Sequence, residues 1–159
     1  MREHAAVLIT GMSGAGKTTA LNGLAQRGFA TVDTDDGPWI ELVDGEPLWR
    51  ESLIDQLLEK PRTAALFVVG TVANQGVFYE RFDAVVLLSA PSAVTFARIA
   101  TRTENPFGKT ESERRQIARD IAEVEPLLRQ AATHEIVTTC PADEVVDRLA
   151  AIAAAVTRR

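Results

Sequence analysis

The chemistry of this chain starts with a lysine and a threonine set behind three glycines. Gly11-Met12-Ser13-Gly14-Ala15-Gly16-Lys17-Thr18 fits the phosphate-loop spacing G-x-x-x-x-G-K-[ST]. Glycines admit turns that are closed to other residues. Successive N–H groups then face inward around phosphate oxygens, and a helix opening near Lys17 adds its positive dipole end. Gly11, Ser13, Gly14, Ala15, Gly16, Lys17, Thr18 and Thr19 are therefore the nucleotide-binding candidates. In that arrangement Lys17 reaches the β- and γ-phosphates, and the Thr18 hydroxyl ligates Mg²⁺. The pattern implies a nucleoside triphosphate site and leaves open what becomes of the phosphate.

Such a loop needs a buried strand before it and a helix after it. Ala5 to Thr10 is an apolar run of strand length, and Thr19 to Gln26 has helical spacing with Gly28 as its C-cap. Further strands are expected at Gly28–Val32, Ala64–Val69, Asp83–Ser89 and Glu135–Thr138. Helices are expected at Glu51–Glu59, Val77–Phe82, Ser92 to about Arg102, and beyond Pro141. Thr110 to Glu113 reads as a capping box, opening one long helix with Ile117, Ile121, Val124 and Leu128 on a stripe. Asp44-Gly45 favours a tight hairpin turn inside Trp39–Trp49. Five strands alternating with helices predict a three-layer α/β/α fold with a five-stranded parallel sheet, the P-loop NTPase fold.

Composition sets the frame. The 159 residues fit a single domain, 1–159, with 46% hydrophobic and 25% charged residues. A net charge of −5 weighs against a nucleic-acid partner, whose affinity rests on phosphate neutralisation. Cys140 is the single cysteine, which suits a reducing cytoplasm. Residues 1–4 have no signal-peptide layout, and the Ala5–Thr10 run is too short to span a bilayer, so no membrane association is expected.

Ligands of open α/β sheets bind beyond the C-terminal strand edges. Asp33, Asp35 and Asp36 cluster at one such edge, where they suit either a ligand or a polar turn with an N-cap. Gly70 to Gly76 follows another strand; Asn74 and Gln75 there can hydrogen-bond an acceptor or face solvent. Trp39 and Trp49 cap the core or wall an acceptor pocket. No acidic residue directly follows Ala64–Val69, and no N-K-x-D is present, which weighs against a motor ATPase and a switch GTPase. Arg98 and Arg102 share a helix face, and Thr103 to Lys109 has the breakers and cations of a closing lid, or of a solvated loop. His4 and His134 lack metal-site company, and Cys140 lacks a histidine partner for nucleophilic work.

With these pieces in place the chain resembles the small P-loop kinases of the shikimate kinase and adenylate kinase group. Phe29 to Asp35 is similar to the shikimate kinase strand that ends in D-x-D. The resemblance implies Asp33 as the metal-side or base residue and Asp35 as the acceptor ligand. It implies Arg98 and Pro141 on the two faces of adenine, and Arg102 and Lys109 as lid cations. The chain departs from shikimate kinases in having Gly70-Thr71-Val72 for G-G-G and Asn105-Pro106-Phe107-Gly108 for R-P-L-L. Residues 36–60 offer only Arg50 to a phosphorylated acceptor. The expectation is an ATP- and Mg²⁺-dependent phosphotransferase acting on a hydroxyl, with Lys17, Asp33 and Arg102 catalytic and Thr18 and Asp33 at the metal. Asp35, Trp39, Gly70 and Asn74 would hold the acceptor, within an acceptor region at about 34–60 beneath a lid at about 102–112. A nucleoside-monophosphate kinase and a nucleotide-sensing module with little turnover are the alternatives. The expected partners are a nucleotide and a small molecule, with the chain a monomer or homodimer.

Overall fold

The computed structural model describes residues 4–103 and 107–157. In chain order the elements are β1 (Ala6–Thr10), α1 (Lys17–Gln26), β2 (Ala30–Asp33), β3 (Ile40–Val43), β4 (Glu46–Trp49) and α2 (Glu51–Glu59). Then come β5 (Leu66–Val69), a 3-10 helix (Gln75–Arg81), β6 (Ala84–Ser89), α3 (Ser92–Thr101), α4 (Glu111–Glu123), α5 (Glu125–Ala131), β7 (His134–Val137) and α6 (Ala142–Thr157).

The apolar runs pair as one parallel sheet in the order β2-β5-β1-β6-β7. Continuous apolar strands suit this because both faces are covered. Val7, Ile9, Phe67, Val69, Val86 and Leu88 pack against Ala20, Leu21 and Leu24 of α1 and Val145, Val146 and Leu149 of α6. The opposite face, with Ala6, Leu8, Leu66, Val68 and Val85, meets Trp49, Ile54, Phe78 and Phe82. The result is the three-layer P-loop architecture expected from the sequence. β1 is the central strand, so its loop opens midway along the sheet's ligand edge, between the ends of β5 and β6.

Several boundaries differ for physical reasons. The single helix expected beyond Thr110 is two helices, because Pro126 lacks an N–H and sits in the first turn of α5 after a break at Val124. The capping box itself forms: Thr110 Oγ1 accepts from the Glu113 N–H at 3.2 Å. The expected short helix at Val77–Phe82 is a 3-10 turn starting at Gln75. The Asp44-Gly45 turn has both residues at positive φ, 53° and 80°, and closes the β3–β4 ribbon.

Trp49 is fully buried, which decides between its two readings in favour of the core. Its indole N–H donates to Thr34 Oγ1 at 2.9 Å, and that hydroxyl donates to the Val69 carbonyl at 2.8 Å. Gly70 makes this possible: a Cβ there would lie 2.6 Å from Thr34 Oγ1 and 2.8 Å from the Trp49 ring. Gly70 is thus a packing glycine under the indole. Gly70→Ala should destabilise the fold by about 1–3 kcal/mol through overpacking. A thermal melt checks this, with a midpoint several degrees below wild type expected.

Candidate functional site

The phosphate loop lies between β1 and α1 and encloses a cavity of about 520 Å³. That volume falls within the range of small-ligand sites, roughly 300–1,000 Å³. Its lining includes residues 11–19 together with Asp35, Thr71, Arg98 and Arg102. Two glycines hold the loop's shape. Gly14 has φ 82° and Gly16, the N-cap of α1, has φ 101°; a side chain would be strained at either. A Cβ on Gly14 would also lie 2.9 Å from Thr95 Cγ2.

Neighbouring strand ends fasten this loop. At its start, Thr71 Oγ1 donates to the Gly11 carbonyl at 2.8 Å and meets Thr10 Oγ1 at 3.0 Å. Buried Gln75 donates to the same Thr10 hydroxyl at 3.2 Å and to Tyr79 Oη at 3.0 Å. At the loop's far side, Thr138 Oγ1 donates to the Ala15 carbonyl at 2.7 Å. Arg98 reaches the Gly14 carbonyl at 3.2 Å and Thr138 Oγ1 at 2.9 Å. Thr71 and Thr138 were not among the sequence candidates. Each is a hydroxyl within two residues of a strand's C-terminal end on the ligand edge, and that position is the signal that could have found them.

The Lys17 ammonium is folded back on its own loop. It donates to the carbonyls of Gly11 and Met12, the latter at 3.2 Å. Burial pulls its pKa down from 10.5 to about 8, with Asp35 and then Asp33 opposing the fall. Asp35 lies at the mouth of the cavity with its pKa raised, first by loss of solvent, then by Asp33; Lys17 acts against both.

The two carboxylates of the D-x-D pattern are not equivalent. Asp33 Oδ1 accepts from the Asp35 N–H at 3.0 Å, and the Asp33 carbonyl accepts from Asp36 N–H at 3.1 Å. Asp33 therefore shapes the turn, and Asp35 is the acid that lines the phosphate cavity. Thr18 lines it too, at the first turn of α1.

Other expected contacts are redirected. The Asn74 carboxamide accepts from the Trp49 N–H at 2.9 Å and donates to the Trp49 carbonyl at 3.0 Å. This closed ring pins β4, and Asn74 Nδ2 also donates to Glu51 Oε2 at 3.2 Å. Trp39 packs partly buried against the Trp49 core and does not line the phosphate cavity. Lys109 donates to the carbonyls of Ala100, at 3.1 Å, and Arg102, at 2.6 Å, so it caps the end of α3. Arg102 does reach the loop, donating to Ser13 Oγ at 3.3 Å. Of the lid segment, residues 104–106 lie outside the described residues.

A smaller cavity of about 180 Å³ adjoins the first across Arg98, Gly16 and Thr19. Ala20, Thr138, Cys140, Ala142 and Val145 complete its wall. Exposed Pro141 is flanked by two of these lining residues and is not itself one of them. Among the described residues no cluster of three His, Cys, Asp or Glu side chains can hold a metal ion unaided. No helix of the described residues is long and apolar enough to cross a membrane.

The family described as AAA domain matches residues 7–119. A nucleotide-binding protein of Dinoroseobacter shibae is 31% identical over 128 residues, covering 79% of this chain. The match spans 42% of that relative's own length. Shikimate kinase 2 of Yersinia enterocolitica is 30% identical over 163 residues, covering 90% of this chain and 92% of the relative. Among solved structures, shikimate kinase from Acinetobacter baumannii in complex with shikimate superposes with a TM-score of 0.67 at 22% identity. It covers 96% of this chain and 94% of its own.

Proposed function

We propose that this chain, which belongs to the AAA domain family and to the small P-loop kinases of the shikimate kinase-like group, transfers the γ-phosphoryl group of ATP to a hydroxyl of a small molecule. The observation that carries this reading is one cavity lined at once by Lys17, Thr18, Asp35 and Arg102 around the loop amides.

The division of labour follows from position. The loop amides and the α1 N-terminus hold the phosphates. Lys17 leaves its own carbonyls for the β- and γ-oxygens and draws off charge as the phosphoryl moves. Arg102, anchored beside Ser13, stabilises the same charge from the α3 side. Asp35 orients the acceptor hydroxyl and accepts its proton, and the raised pKa favours that task. Asp33 holds the turn that aims Asp35.

The residues suit Mg²⁺, which keeps several waters and takes few protein ligands. Thr18 is the side-chain oxygen that would hold it, with phosphate and water oxygens supplying the rest; the bound ion would neutralise charge on the β- and γ-phosphates. The smaller cavity beyond Arg98 would take the adenine ring.

A panel assay with labelled ATP and Mg²⁺ tests the reading. Polyols, nucleosides, amino alcohols and nucleoside monophosphates are offered together, and the labelled product is identified. Transfer to a hydroxyl compound supports the proposal. Transfer to a monophosphate would make the chain a nucleotide kinase. Tight ATP binding with no transfer would make it a sensing module.

The lowered Lys17 pKa sets a pH dependence. Below about 8 the free protein holds Lys17 charged; above it the ammonium is lost. Triphosphate favours the charged form, so binding takes up a proton at high pH. Measured ATP affinity should therefore fall as pH rises past about 8, by up to tenfold per pH unit. Lys17→Arg, charged throughout, should flatten that slope.

A further inference from the structure

We propose that Thr138 is a positioning residue for the triphosphate, aiming the Gly16 amide into the phosphate cradle through the Ala15 carbonyl. The proposal rests on the reading of the Gly11–Thr18 loop as a triphosphate site. It assigns a role to a residue of the last strand, more than a hundred positions away in sequence.

Thr138 follows β7 directly and is only 6% exposed. Its backbone N–H donates to the Ser89 carbonyl at 2.8 Å, which fixes it to the end of β6. The hydroxyl carries one proton and has two carbonyls within reach, Ala15 at 2.7 Å and Ser89 at 3.3 Å. The nearer and better partner is Ala15. Arg98 donates to the same hydroxyl at 2.9 Å and to the Thr138 carbonyl, so the oxygen's orientation is held from both sides.

The consequence lies in the peptide plane. A trans peptide points its C=O and its N–H in opposite directions. Pinning the Ala15 carbonyl toward Thr138 therefore turns the Gly16 N–H away from Thr138 and toward the loop's concave side. Gly16 at φ 101° has no intrinsic preference strong enough to fix that plane alone. The Ala15 N–H and the Gly16 carbonyl are bonded on either side, but without the hydroxyl the peptide between them loses its own anchor, and one cradle donor is less well aimed. Thr71 does the matching work at the loop's other end by holding the Gly11 carbonyl.

The test is titration calorimetry of wild type, Thr138→Val and Thr138→Ser with magnesium tripolyphosphate and with magnesium ATP, alongside thermal melts. Tripolyphosphate has no base, so its affinity reports the cradle and not the wall of the smaller cavity. Thr138→Val should weaken both ligands about tenfold, and Thr138→Ser should bind within about twofold of wild type. Should the valine variant not fold, Thr138→Ala supplies the hydroxyl-free case. Wild-type tripolyphosphate affinity in a folded hydroxyl-free variant overturns the proposal, and ATP alone weakening would make Thr138 only a base-site wall. A serine variant as weak as valine overturns it as well. Failure of wild type to bind either ligand would instead defeat the reading of the loop itself.

Discussion

Replacing Lys17 with Met should lower turnover by roughly 10²–10³-fold, the loss typical of one preorganised donor and worth about 2.7–4 kcal/mol. Methionine keeps the length of the stem and removes only the ammonium, so packing around the loop is largely preserved. The same variant should melt no lower than wild type. Burial holds Lys17 at a pKa near 8 against 10.5 when free, so its charged form is disfavoured in the folded protein. The sign is that of a base with a depressed folded-state value. Its cost is fully present below about 8 and is relieved between about 8 and 10.5, where the unfolded chain still binds the proton. Apo wild type should therefore gain stability across that window through this group, and the methionine variant should not. Single-turnover kinetics with labelled ATP, paired with melts at pH 7 and pH 9.5, read both effects. Unchanged turnover in the variant would remove Lys17 from the chemistry.

That a lysine is kept in so costly a place was legible from the sequence, because the glycine spacing around it has few uses. The sheet was legible for the same kind of reason. Runs such as Ala84–Ser89 are apolar on both faces and can only be buried strands in a parallel sheet. What the sequence left open was where polar side chains in the loops turn. Asn74 and Gln75 sit on the ligand edge and look available, yet both face inward, to the Trp49 backbone and to Thr10. A carboxamide serves a backbone as well as an acceptor, and only tertiary packing decides. Lys109 is a similar case. A cation after a helix is equally suited to phosphate and to the helix's last carbonyls, and here Lys109 bonds the carbonyls of Ala100 and Arg102. The helix that divides at Val124 could have been read from Pro126, since a proline inside a stripe is a stronger signal than the stripe.

The choice between Asp33 and Asp35 leads to the second large effect. Asp35→Asn should cut phosphoryl transfer by about 10²–10⁴-fold, the range of a general base, while ATP affinity changes by only a fewfold. Asparagine keeps the shape and the backbone turn but cannot accept the hydroxyl proton. Asp33→Asn should act differently. Its Oδ1 takes the Asp35 N–H at 3.0 Å, and an asparagine carbonyl oxygen can take that same bond. Turnover in that variant should stay well above that of Asp35→Asn. Asp33→Ala, which loses the bond, should release the turn and approach the Asp35→Asn rate. The ranking of these three variants separates a carboxylate that meets the acceptor from one that aims it. If Asp33→Asn proved the slower of the two asparagines, the roles would be exchanged: the residue closing β2 would carry the base, and the acid at the cavity mouth would hold only the acceptor.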